Sequence, residues 1–195
     1  MEILAYPRDA FPDRKILVQR IADSLEPDNR PSHAFLDSKD YSQDSSVSEN
    51  FHSYAFQWDR SRPKDRVPAH VLDLMNDDQC SQLVWVSRKM LEEEEILFVF
   101  MLAHEFRHVY QVRRNLTHDA VRRKSRALWR EPEFHLKLSS LPLDPPELDA
   151  DIFALRTTRS IFGPEPMTQL IGRRNFPRCP DKLYTPFLLR LEEIV

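Results

Sequence analysis

The stretch 96–111, ILFVFMLAHEFRHVYQ, decides how this chain is read. Its apolar residues predict a buried helix, and on that helix His104, Glu105 and His108 form the pattern H-E-x-x-H. At about 100° per residue, His104 and His108 share one face a turn apart, where two imidazole nitrogens can meet one metal ion. Glu105 lies one position round and can reach a metal-bound water. Phe98, Leu102, Phe106 and Val109 project to the other side as an apolar stripe. The helix is thus expected to rest on a core on one side and open onto a polar site on the other. Seven histidines could give the pattern by chance. Against chance stand the apolar residues before it, Glu92–Glu95 where a helix dipole is positive, and Arg113 and Arg114 where it is negative.

Working outward, 195 residues are enough for one domain with a sizeable core. A net charge of −3 argues against general affinity for nucleic acid or an anionic membrane. Two glycines against fifteen prolines mean that turns must lean on Pro, Asp, Asn and Ser. Cys80 and Cys179 are too few for a disulfide framework and too far apart in sequence for a zinc-thiolate pair, so two reduced thiols are the simpler reading. The first residues, MEILAYPRDAFPDRK, lack the apolar core of a signal peptide. The longest apolar run, Ile96–Ala103, is too short to span a bilayer. These features predict a soluble, cytoplasmic protein.

Residues 1–50 read as an N-terminal segment, partly helical and then flexible, ahead of a domain over 51–195. Ile16, Leu17, Ile21 and Leu25 have helical spacing, with Asp13 as a cap and Pro27 as the end. Residues 26–50 are rich in Ser and Asp and predict a loop. Tyr54–Trp58 and Val67–Met75 resemble short strands, and Gln82–Ser87, QLVWVS, is the clearest strand. His70 reads as a structural histidine. Thr117–Arg130 predicts a basic helix. Trp129 among its arginines invites a nucleic-acid reading, but a charge run of this kind is usually a solvated face. Leu141–Gly163 predicts a further helix with Asp144 as N-cap, prolines in the first turn and Gly163 at the end. The closing TPFLLRLEEIV is apolar enough to dock on the domain. The expected fold class is α+β, a small twisted sheet whose edge strand packs on the active-site helix, beside a second, glutamate-bearing helix.

Catalytic zinc usually takes three protein ligands and keeps a fourth position open. Glu147, Asp151, Asp149, His118 and His135 can be weighed as the third. A histidine in close sequence is excluded by offset, since His118 follows His108 by ten residues without the glycine that such an extended motif requires. Glu147 is favoured, with His135 behind it. It opens a helix with Asp151 at i+4 on the same face, from which Asp151 can hold a ring N–H of a ligating histidine. The plain alternative is that Glu147 completes a capping box with Asp144.

HEFRH followed by ELDADIFA resembles the gluzincin metallopeptidases, in which H-E-x-x-H on one helix is joined by a glutamate from an E-x-x-x-D helix. The closest in style are small single-domain forms such as the minigluzincins and other metallopeptidases with an HE-x-RH-x-x-Q signature. The resemblance covers Gln82 to about Gly163. It implies a zincin-like fold, a Zn2+ cofactor, ligands His104, His108 and Glu147, Glu105 as catalytic base, and Asp151 as orienting acid. Arg107 departs from the pattern, since many relatives carry glycine there.

The expected chemistry is hydrolysis of a peptide or protein substrate through a metal-bound water, with Glu105 as general base. QLVWVS is expected to align the substrate by backbone pairing. A second reading keeps the metal and drops efficient cleavage, making the chain a peptidase-like regulatory module. A third would use the basic stretch 113–130 on nucleic acid. Tyr110 and Tyr184 can be named as oxyanion donors, although Tyr110 faces away from the histidines.

Overall fold

The computed structural model describes residues 1–135, 144–164 and 184–195. Four strands, β1 Glu2–Tyr6, β2 His33–Asp37, β3 Ala55–Asp59 and β4 Gln82–Val86, form one mixed sheet in the order β1-β2-β4-β3. The pairs β1–β2 and β2–β4 are parallel, and β3 runs antiparallel to β4. Eight helices accompany the sheet among the described residues: α1 Pro12–Asp23, α2 Ala69–Asn76, α3 Arg88–Leu91, α4 Glu95–Arg114, α5 Asp119–Trp129, α6 Pro132–His135, α7 Pro145–Phe162 and α8 Tyr184–Ile194. The class is α+β.

Strand β4 is buried on both faces, and its side chains divide by the two-residue period. Val84 and Val86 join Leu17, Ile21, Leu102 and Phe106 under α1 and α4. Leu83 and Trp85 join Phe35, Phe51 and Met75 on the other face. A third cluster, built on Leu128, Leu148, Leu155, Phe187 and Leu191, fastens α5, α7 and α8 to α4. The predicted stripe of Phe98, Leu102, Phe106 and Val109 is wholly buried, and the closing helix docks as expected.

Several expectations are corrected. Residues 33–37 form a buried strand within the stretch expected to be loop. They escape notice because a strand covered on both faces does not alternate. The N-terminus contributes β1 before its helix, so both strands complete the same sheet as β3 and β4. Helix α1 starts at Pro12 with Phe11 in the left-handed region as its N-cap, which places Asp13 in the first turn instead. Residues 69–76, expected as strand, are helix α2, whose buried positions Val71 and Met75 are four apart. Strand β4 is interior, and the edge beside α4 is β3.

Turn chemistry follows the shortage of glycine. Backbone N–H groups of Lys39, Ser42, Ser46, Ser61 and Gln79 each donate to the carboxylate of the aspartate two residues earlier. Asn115 takes the left-handed position that ends α4. No helix among the described residues is long and apolar enough to cross a membrane.

Candidate metal centre

Helices α4 and α7 form the most extensive helix pair in the fold, and the site lies between them. Ala103, Ala150 and Ala154 are fully buried, and their small side chains let the two backbones approach. His104 Nε2 and His108 Nε2 stand 2.9 Å apart. Across from them, Glu147 places Oε2 at 3.4 Å from His104 Nε2 and Oε1 at 3.4 Å from His108 Nε2. These three side chains could hold a metal ion, their ligand atoms lying within 4.8 Å of one another. Asp144 sits at the N-cap of α7 without a side-chain cap bond, so its half of the predicted capping box is not made.

Hydrogen bonding fixes both rings. His104 Nδ1 donates to Asp151 Oδ1 at 2.7 Å, a buried contact. His108 Nδ1 lies 2.8 Å from Gln111 Oε1. Gln111 Nε2 donates to the Pro146 carbonyl at 2.9 Å and to Asp149 Oδ2 at 2.8 Å, so two acceptors set the amide orientation. With Nδ1 the donor on each ring, both Nε2 atoms present lone pairs toward each other and toward a carboxylate. Three electron-rich groups converging in this way are stabilised by a cation between them. Nitrogen and oxygen ligands about 2.0–2.1 Å from a tetrahedral zinc would lie roughly 3.3 Å apart. Two of the three separations match that spacing and the third is shorter, so the residues fit such an ion.

Of the other weighed residues, Asp149 faces away from the histidine pair. It takes a bidentate ion pair from Arg107, with Nε at 2.7 Å and Nη2 at 3.1 Å, and His118 Nδ1 stands 4.0 Å away. Burial alone would raise the Asp149 pKa, but the bonds from Arg107 and Gln111 and the nearby positive charge outweigh it and hold the carboxyl below its ordinary 3.8. Arg107 also lies over the rings of Tyr110 and Phe153. Its bulk is therefore turned to α7 and Tyr110. The side chains of His135 and Tyr184, and all of Cys179, lie outside the described residues. Cys80 is a buried free thiol.

Two of the three, His108 and Glu147, border a cleft of about 420 Å3 that also takes in Glu105 from α4 and Phe56 and Gln57 from the edge strand β3. Gln57 is 95% buried, and its Oε1 has no hydrogen-bond partner. Gln111 and Gln57 are the residues that sequence reasoning left without a role. Gln111 had a signal in the HE-x-RH-x-x-Q signature, while nothing in the sequence marked Gln57.

Away from the cleft, α5 turns Val121, Ser125 and Leu128 inward, and Trp129 packs against Phe187. The tryptophan of the basic stretch is thus part of the packing. His70 bonds Asp37 at 3.0 Å from helix α2, as a satisfied structural histidine.

No protein-family model, curated protein or solved structure matches the chain.

Proposed function

We propose that the chain is a zinc-dependent peptidase of the gluzincin type, with a zincin-like arrangement of edge strand, H-E-x-x-H helix and glutamate helix. One observation carries the reading: His104, His108 and Glu147 converge with both imidazoles oriented from behind, and His108 and Glu147 line a cleft that Glu105 also lines. Three ligands leave a fourth position for substrate or water, which is the mark of a catalytic centre as opposed to a structural one. When bound there, zinc supplies a Lewis acid and brings a water's pKa near neutrality.

The chain's own groups do the rest. Glu105 takes a proton from the attacking water and returns it to the leaving amine. Asp151 and Gln111 hold the imidazole tautomers through the turnover. The outer edge of β3, beside α4, aligns an extended peptide by backbone pairing, with the Gln57 amide beneath it.

The test combines metal content with turnover. Wild type should bind about one zinc and cleave casein or a peptide library in a chelator-sensitive manner. Glu105→Gln should keep the zinc and lose turnover by at least about a hundredfold. His104→Ala and Glu147→Ala should lose the zinc. Full turnover by Glu105→Gln would remove the assigned base. Zinc bound at these residues with no cleavage by wild type would leave the regulatory-module reading in its place.

A further inference from the structure

The edge of β3 that would receive a substrate strand is already engaged by side chains. The Ser87 N–H donates to the Tyr54 carbonyl at 2.9 Å, which continues the β3–β4 register by one pair. An antiparallel ladder alternates, so Tyr54 and Phe56 turn their N–H and carbonyl groups toward β4, while Ala55 and Gln57 turn theirs outward. Both outward carbonyls are held. Ser53 Oγ lies 3.0 Å from the Ala55 oxygen, although its one proton is shared with the Asn50 carbonyl at 2.6 Å. Arg62 Nη1 donates to the Gln57 oxygen at 3.3 Å. A peptide that pairs with β3 therefore competes with Ser53 and Arg62 for these carbonyls.

Of the two, Arg62 is held the more weakly for its donor capacity. Its side chain is 51% exposed, its bond to Gln57 is long, and Asp59 Oδ2 stands 3.6 Å from Nε, beyond hydrogen-bonding distance. Asp59 is itself tied to its turn, with Oδ1 accepting from the Ser61 N–H and hydroxyl. A guanidinium carries five N–H donors in a planar fork, and the Gln57 carbonyl takes one of them. Arg62 is also the only lysine or arginine among the described residues that border the cleft with Glu105, His108 and Glu147. An uncharged peptide that takes the Gln57 carbonyl leaves the guanidinium to water alone. A carboxylate on the peptide gives it a bidentate, charge-assisted partner instead. The event that seats the strand thus frees the group that reads its charge. Resting on the peptidase reading above, we infer that Arg62 is a specificity residue that binds a carboxylate of the substrate peptide, borne on an acidic side chain or on the chain terminus.

Two measurements on the full-length, zinc-loaded protein test this with one series of unlabelled peptides. The probes are hexapeptides of alternating Thr and Ala in which Glu, Gln or Lys occupies each position in turn, each made as C-terminal acid and as amide. Binding is measured by calorimetry on Glu105→Gln, which leaves the peptides uncut, and cleavage is measured with Glu105 in place. Glu should be preferred to Gln at one position, or acid to amide at the terminus, by at least about tenfold in Kd and in kcat/KM, the low end for a hydrogen bond to a charged group. The first preference assigns the carboxylate to a side chain and the second to the terminus. Arg62→Met should bring the ratio below twofold. Arg62→Glu should invert it, favouring Lys at that position or the amide at the terminus, a reversal that a merely structural arginine would not give. Ratios below twofold throughout the series overturn the proposal, as does no binding of any peptide at millimolar concentration. A preference that Arg62→Met leaves intact overturns it as well. Carboxylate-dependent binding that Arg62→Met removes, with no cleavage of any peptide by wild type, upholds the carboxylate site and brings down the peptidase reading alone.

Discussion

His108 Nδ1 donates to Gln111 Oε1 at 2.8 Å, so a residue one turn along the same helix sets the tautomer of an imidazole in the His104–His108–Glu147 cluster. Gln111 can do so because α7 fixes its amide through the Pro146 carbonyl and Asp149. Asp151 does the same for His104 directly from α7. One ring is oriented by a carboxylate and the other by an amide, and both supports depend on α4 and α7 being docked.

Removing either support should loosen the metal without removing a ligand. Gln111→Ala and Asp151→Ala should each weaken zinc binding by about 10–100-fold, measured by competition with a chromophoric chelator. Changes below twofold in both would show that these bonds do not orient the rings.

Arg107 and Asp149 join the same two helices by a bidentate pair, with side chains 20% and 15% exposed. Arg107→Ala leaves a largely buried carboxylate facing only Gln111 and a more distant His118. Metal-free Arg107→Ala should lose roughly 3 kcal/mol in urea denaturation, near the lower end for breaking a buried pair because both side chains keep some solvent. Arg107→Leu combined with Asp149→Leu should recover part of that loss, since an apolar pair leaves no charge stranded.

The site was more legible in the sequence than the sheet, and the reason is local spacing. His104 with His108, and Glu147 with Asp151, are each four apart, so one helical turn places each pair on a common face. Gln111 depends on the Pro146 carbonyl and Asp149 of another helix, which no local pattern encodes. Strand β2 failed for a similar reason. His33 and Asp37 read as loop residues, yet both are buried, with Glu2 facing His33 and Trp85 and His70 bonding Asp37. Helix α2 did carry a signal in the four-residue spacing of Val71 and Met75, which the shortness of the segment obscured.

Asp37 sets an acid limit on the fold. It lies at the end of β2, fully buried, accepting from His70 at 3.0 Å, Trp85 Nε1 at 3.1 Å, Tyr41 at 3.2 Å and the Lys39 N–H at 3.0 Å. Burial would raise its pKa, but the bonds from His70, Lys39 and Trp85 prevail and hold it below the ordinary 3.8. A carboxyl depressed on folding stabilises the protein above its unfolded pKa, and the contribution disappears as pH falls through the folded value. Stability measured by denaturant should therefore drop below about pH 4, and Asp37→Asn should flatten that drop while lowering stability at neutral pH. An acid limb equally steep in the variant would show that other carboxylates set it.

Gln57 separates a structural role from a functional one. A buried glutamine oxygen with no partner destabilises the resting fold, so its retention in the cleft beside Glu105 and Glu147 is explained if substrate supplies the missing donor. Gln57→Leu keeps the bulk and removes the orphaned oxygen. The variant should be as stable as wild type or more so, while KM rises about fivefold, the worth of one hydrogen bond of roughly 1 kcal/mol, and kcat changes little. A residue that served only the packing of β3 would behave the other way, with stability falling and KM unmoved.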